Sequence, residues 1–289
     1  MKASDVAQRL GYAPDDRLLI IHCDDVGMSY EANAAVKELL TSGIPTSCSV
    51  MMPCPWAYEF MRWYQNHPDL DVGIHITLTS EWTSYRWRPL TASRGLLDKT
   101  GFMYRNSEAV ATHASVLEIR QETIAQIQQA LDWGVKPTHI DTHMGTSLAS
   151  LEFAKAYIGT AKEFGLPPMI LDPGPQVMAA LEDQGYDPRL AELMQRESTP
   201  KLTALFGAAG KDTYNDTKQA IYQQLENLPS GISYLIIHPA QESDTMRAIT
   251  DSWQQRYWEY RIFMEDETRE KINGLGIKLV TWRELVSVS

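Results

Sequence analysis

Short apolar runs alternate along this chain with longer stretches in which apolar residues recur every three or four positions. That rhythm predicts strand–helix units around a parallel sheet, an α/β fold. The strand-length runs are Leu18 to Cys23, Ser47 to Met52, Val72 to Thr77, Thr138 to Asp141, Met169 to Leu171, Tyr234 to Ile237 and Ile277 to Val280. Seven strands predict a closed or nearly closed (β/α) barrel.

Helices are predicted between them. One covers Tyr30 to Leu40, with Ser29 as cap, Glu31 in the first turn, an apolar face of Val36, Leu39 and Leu40, and Gly43 as its stop. A second runs from Val116 to Trp133, with Ile124, Ile127 and Leu131 at core spacing and Gly134 then Pro137 beyond its end. Others cover Leu148 to Phe164, Thr217 to Leu228 and Trp253 to Ile272. Residues 78–115 and 173–216 are too long for ordinary connections and are expected over the barrel mouth as lids or substrate walls. The first is aromatic and basic, E-W-T-S-Y-R-W-R-P-L; the second shows helical fragments but no strand.

Composition narrows the class. A chain of 289 residues is near the size of one barrel, so residues 1–289 are expected to form a single domain. With 44% hydrophobic and 22% charged residues the chain can build a core, and a net charge of -11 argues against a nucleic-acid partner. Cys23, Cys48 and Cys54 form an odd set without C-x-x-C spacing, which fits a reducing cytoplasm. The N-terminus lacks a signal-peptide pattern and no apolar run is long enough to span a bilayer, so a cytoplasmic location away from membranes is expected. A homodimer is possible, but no helix face marks one.

In a parallel barrel the active site gathers at the C-terminal ends of the strands. There this sequence has Asp24 and Asp25 after the first run, His75 in the third, His139, Asp141 and His143 in T-H-I-D-T-H, and His238 after Y-L-I-I. Carboxylate and neutral imidazole together suit zinc, cobalt, nickel or iron, and a site with three protein ligands keeps a position for water and substrate. Such a centre makes amide or ester hydrolysis feasible, with a carboxylate as base and a histidine protonating the leaving amine. Asp24 and Asp25 would point to opposite sides of a regular strand, so both can serve only if the chain turns, which Gly27 permits; one is then a ligand and the other a base. His143 is better placed as a ligand than His139, which reads as a buried or supporting residue, and Asp141 could orient a ligand histidine. His22 reads as core, Cys23 as packing, and His67 and His113 receive no role. No G-x-S-x-G elbow, phosphate loop or H-E-x-x-H helix is present.

The segments L-L-I-I-H-C-D-D-V-G-M-S, G-I-H-I-T-L-T, P-T-H-I-D-T-H and I-I-H-P resemble, in order and spacing, those of the YdjC-like carbohydrate deacetylases, which include chitooligosaccharide deacetylase. The resemblance spans most of the chain. It implies a distorted (β/α) barrel, a divalent metal, magnesium or zinc, on Asp25, His75 and His143, Asp24 as base, His238 as acid or oxyanion partner, and N-acetylated sugars as substrates. Val26 replaces a common aromatic, and Met144-Gly145-Thr146 replaces a histidine-rich run, changes that bear on substrate preference. Trp82, Tyr85 and Trp87 follow the His75 strand and either stack on sugar rings or pack a lid; Arg86 and Arg88 either hold an acidic sugar or solvate the loop. The alternatives are a metal-dependent phosphoesterase or lyase on the same barrel, and a sugar-binding protein without catalysis.

Overall fold

The computed structural model describes residues 2–288 apart from 184 and 186. Its strands are β1 (Arg17–Val26), β2 (Ser47–Val50), β3 (Val72–Ile76), β4 (Ile140–Thr142), β5 (Ala204–Gly207), β6 (Gly231–Ile237) and β7 (Lys278–Leu279). All pair in parallel, in the order β4-β3-β2-β1-β6-β5, with β7 on β1. β1 uses one edge for β6 and divides the other, meeting β7 at Leu18 and Leu19 and β2 from His22 onward. This fork distorts the barrel.

Backbone hydrogen bonds span the gap between β4 and β5. Ile140 donates to Pro167 (3.0 Å), Met169 to Ile140 (2.8 Å), Leu202 to Ile170 (3.0 Å) and Asp172 to Leu202 (2.8 Å). The run Met169 to Leu171 is therefore not a strand of its own, because each side offers it only an isolated bridge, yet it completes the ring. The strand missing from the reading is β5, which lies inside the stretch assigned no strand. Its A-L-F-G is half-buried and ends in glycine, so it carries little of the pattern that identifies a buried strand.

The alternation of side chains along β1 organises the interior. Leu19, Ile21 and Cys23 join the large cluster under the helices, whereas Leu18 and Ile20 pack with Tyr234 and Trp282. Continuing that second face leads to His22 and Asp24, so it changes from apolar at the base to polar at the rim. The helix Ala3–Arg9 closes the base, its Ala3, Val6 and Ala7 joining Leu18 and Trp282.

Helix Tyr30–Ser42 forms as expected: Ser29 accepts from the Ala32 N–H, and Gly43 ends it at φ 83°. Helix Val116–Asp132 forms too; of its expected core face Ile127 is buried and Ile124 half-buried, whereas Leu131 is exposed. Glu122, Thr123 and Gln126 are buried beside Ile127. Gln126 bonds both backbone groups of Thr77, and Glu122 accepts from the Leu90 and Thr91 N–H groups, so polar residues on this helix hold the end of β3 and the loop beyond it. The helix expected from Leu148 starts at Leu151 behind a Ser150 cap, and the one expected over Trp253 to Ile272 breaks at Glu265, whose backbone is extended. Among the described residues, no helix is long and apolar enough to cross a membrane.

The two long stretches part company. Residues 78–115 do border the rim: Ser107 Oγ lies 2.8 Å from Thr146 Oγ1 and bonds the Met144 carbonyl, just after His143. The stretch 173–216 begins at the base instead of the mouth: Asp172, just before it, accepts from the Ala3 N–H (3.3 Å), and Gly174 and Pro175 line a cavity with Lys2.

Candidate metal centre

The rim end of β1 bends at Asp25. Pairing with β2 shifts register between Cys23 and Val26, and Asp25 has a φ of 60°. Aspartate tolerates this left-handed region better than most residues, and the bulge turns both carboxylates toward the same group of imidazoles. The turn expected at Gly27 thus starts two residues earlier. Gly27 follows at φ 88°, where a Cβ would lie 3.0 Å from the Ala57 Cα. The one other described non-glycine residue at positive φ is Met144, next to His143. Both strained positions adjoin the site, as stored strain commonly does.

Asp25, His75 and His143 meet there at 2%, 1% and 4% exposure. Asp25 Oδ1 lies 3.5 Å from His75 Nε2 and 3.2 Å from His143 Nδ1, and the two nitrogens are 3.3 Å apart. Asp25 Oδ1 has no hydrogen-bond partner. A buried oxygen facing two imidazole nitrogens is a donor set whose polar atoms are not satisfied among themselves, and it suits a divalent ion. Two other groupings have ligand spacing, Asp24 with His75 and Asp141, and His22 with His139 and Asp141. Asp141 is less free to bind an ion, because it already accepts from Ser49 Oγ (2.8 Å) and bonds His75 Nδ1 (2.7 Å).

Each of the three central residues has an outer partner. His75 Nδ1 meets Asp141; His143 Nε2 meets Glu81 Oε2 at 3.0 Å; Asp25 Oδ2 accepts from Arg256 Nη2 at 2.7 Å. Burial alone would raise the Asp25 pKa, but Arg256 and the two histidines hold it well below the ordinary carboxylate value. Burial likewise opposes charge on His143, yet Glu81 and Asp25 pull it up to about 9, and Asp24 and Asp141 raise His75.

Asp24 Oδ2 lies 3.7 Å from His75 Nε2 and 3.9 Å from His238 Nε2. His238 has a side chain 39% exposed, and its backbone N–H donates to Glu259. The expected base and acid therefore flank the donor set on a side open to solvent. His139 does not touch the three donors. It stacks on Trp282 and meets His22 edge-on, fitting because Gly73 is bare: a Cβ there would sit 2.5 Å from its ring. Burial and the nearby His22 lower its pKa.

His22 is buried as expected but is not inert core. Its Nε2 lies 2.9 Å from Asp141, 3.2 Å from Asp24 and 3.0 Å from Ser49 Oγ, and although burial opposes its charge, the two carboxylates pull it up to about 9. The hint was its position two residues before Asp24, hence on the same face. Ser49, a polar residue within an apolar strand, gave a similar hint. Glu81, Arg256 and Glu259 gave none, since they lie in a loop and a distant helix.

The aromatic loop is partly self-packed. Trp87 is buried, donates Nε1–H to the Thr79 carbonyl and approaches His143 with ring centroids 6.3 Å apart. Tyr85 donates to the Met28 carbonyl, and Trp82 and Tyr85 remain half-buried. Arg86, read as either holding an acidic sugar or solvating the loop, bonds Asp98 Oδ2 at 2.9 Å and the Met103 carbonyl within the loop. Arg88 is exposed.

Fold and rim together define a distorted parallel (β/α) barrel with a carboxylate–imidazole centre at its C-terminal mouth. The chain belongs to the YdjC-like family, whose model, described as YdjC-like protein, matches residues 18–274. It is 32% identical over 286 residues to a Thermus thermophilus protein named carbohydrate deacetylase, covering 96% of this chain and 97% of that one. A Geobacillus stearothermophilus protein of the same name is 26% identical over 271 residues, covering 93% and 98%. The crystal structure of an Enterococcus faecalis protein, whose name proposes cellobiose-phosphate cleavage, superposes with a TM-score of 0.75 at 21% identity, over 93% of this chain and 99% of that one, a likeness of fold.

Proposed function

We propose that residues 1–289 form one catalytic domain, a divalent-metal-dependent deacetylase acting on N-acetylated sugars. The observation that carries this reading is the buried Asp25 oxygen, without a hydrogen-bond partner, facing His75 and His143 beside Asp24 and His238; the named relatives support the substrate class. Asp25, His75 and His143 would hold the ion. Two imidazoles and one carboxylate favour zinc over magnesium, which prefers oxygen donors. When bound, a divalent ion supplies Lewis acidity, lowering the pKa of a water toward ~7 and polarising the acyl oxygen.

The chain's own groups do the rest. Asp24 takes the proton of the attacking water, its Oδ1 lying 3.2 Å from His22 Nε2. His238, on the solvent side of Asp24, gives a proton to the departing amine. Trp82 and Tyr85 offer ring faces for a pyranose, with Trp87 behind them. A phosphoesterase finds less support, because Arg86 is paired with Asp98 and Arg256 with Asp25, leaving neither free for a phosphate.

Acetate and phosphate release from a saccharide panel, after metal removal and reconstitution, tests the reading. Metal-dependent acetate release that is lost in Asp24→Asn is expected. Phosphate release, or acetate release undiminished in that variant, would overturn it.

A further inference from the structure

We infer that Glu81 is a positioning residue that fixes the tautomer of His143 and fastens the aromatic loop to the metal centre. The inference rests on the metal-site reading above. Glu81 Oε2 lies 3.0 Å from His143 Nε2, while the ring's other nitrogen faces Asp25 and His75 at 3.2 and 3.3 Å. A carboxylate oxygen accepts, so the neutral ring carries its hydrogen on Nε2 and leaves the Nδ1 lone pair for the centre. Asp141 does the same for His75, but from inside the barrel wall, through Nδ1 at 2.7 Å. Glu81 belongs to the loop, with a side chain 22% exposed.

The next residue makes a second attachment. Trp82 lies under the Arg256 guanidinium, 5.6 Å from carbon to ring centroid, and Arg256 bonds Asp25 Oδ2 at 2.7 Å. Of two consecutive loop residues, Glu81 is the outer partner of one donor, His143, and Trp82 touches Arg256, the outer partner of another, Asp25. Trp87, whose backbone N–H bonds Ser80 Oγ, folds the loop back on itself, and Trp82 stacks on Tyr85 within it. The loop that carries these aromatic rings is thus tied to the centre on both its Asp25 and its His143 side.

The test needs no substrate. Metal-depleted protein is titrated with cobalt(II), and affinity and visible absorption are compared among wild type, Glu81→Ala, Glu81→Gln and Trp82→Ala, with circular dichroism to verify folding. Glu81→Ala should weaken cobalt binding by about 10–100-fold, the usual loss for an outer partner, and alter the absorption band. Glu81→Gln, whose amide oxygen can still accept, should recover most of the affinity, and Trp82→Ala should shift the band with little change in affinity. Wild-type affinity and spectrum in both alanine variants would overturn the inference and leave the metal reading standing. A wild-type protein that binds no cobalt would overturn both.

Discussion

His75 and His143 point nitrogens at the same carboxylate oxygen, but they are held in opposite ways. His75 sits within β3, and its partner Asp141 is fixed by register on β4, with Ser49 and His22 on neighbouring strands, every one of them buried. His143 lies just past the end of β4 in a 3-10 turn, followed by the strained Met144, and its partner Glu81 comes from a partly exposed loop. The first arrangement is set by the barrel and should be stiff. The second can follow the loop, so one centre combines a fixed donor with an adjustable one.

The largest expected effect removes what both sides share. Asp25→Asn keeps a side chain that tolerates positive φ but loses the charge, and metal affinity should fall by more than the roughly 10–100-fold that loss of an outer partner costs. Calorimetric titration measures this, and near-normal affinity would mean that the two histidines do not depend on Asp25.

The next effect separates the sides. Asp141→Ala leaves His22 and His75 buried without their carboxylate and should destabilise the protein by about 3–5 kcal/mol, whereas Glu81→Ala, at a partly exposed pair, should cost under about 1 kcal/mol. Urea denaturation compares them; equal losses would erase the distinction between fixed and adjustable donors.

Proton linkage sharpens it further. His22 and His143 are both raised from 6.5 to about 9, so their contribution to stability is complete below pH 6.5 and is lost as the pH rises through about 9. Metal-depleted protein should lose stability across that window. Metal affinity should rise across it, because His143 must release a proton to become a ligand. With metal bound, the His143 part of the stability change should vanish and the His22 part remain, which thermal melts at several pH values would show.

The smallest effect lies out in the loop. Burial would raise the Asp98 pKa, but Thr100 and Arg86 hold it down to about 2 against an ordinary 3.8, so its contribution is present above 3.8 and lost as the pH falls toward 2. Asp98→Asn should cost under about 1 kcal/mol while making residues 78–115 easier to cleave by limited proteolysis. Unchanged cleavage would show that Arg86 holds the loop without this pair.

The same division explains what could be read in advance. The period-two pattern of strands carries Asp24, His75 and Asp141 to the rim, because register leaves such residues little choice of direction. That rule also applied to His22, but its apolar neighbours concealed the polar partners supplied by other strands. Glu81 and Arg256 reach the centre through a loop path and a helix 231 residues from Asp25, and no local pattern encodes either. The bulge at Asp25 escaped because a left-handed aspartate looks like any other in sequence. β5 escaped because it is short and half-buried, and the polar part of the buried face of Val116–Asp132 because Glu122 and Gln126 are satisfied by backbone groups that only the folded chain brings near.

Asp25, His75 and His143 are proposed to hold an ion on which deacetylation depends. Metal-depleted protein should be titrated with zinc while bound metal and acetate release from an N-acetylated oligosaccharide are followed in the same sample. Acetate release should rise in proportion to occupancy and level off at one ion per chain, and His75→Ala should abolish both signals. Full acetate release before any zinc is added, or tight binding of the same ion by His75→Ala, would show that no ion held by these three residues drives the reaction.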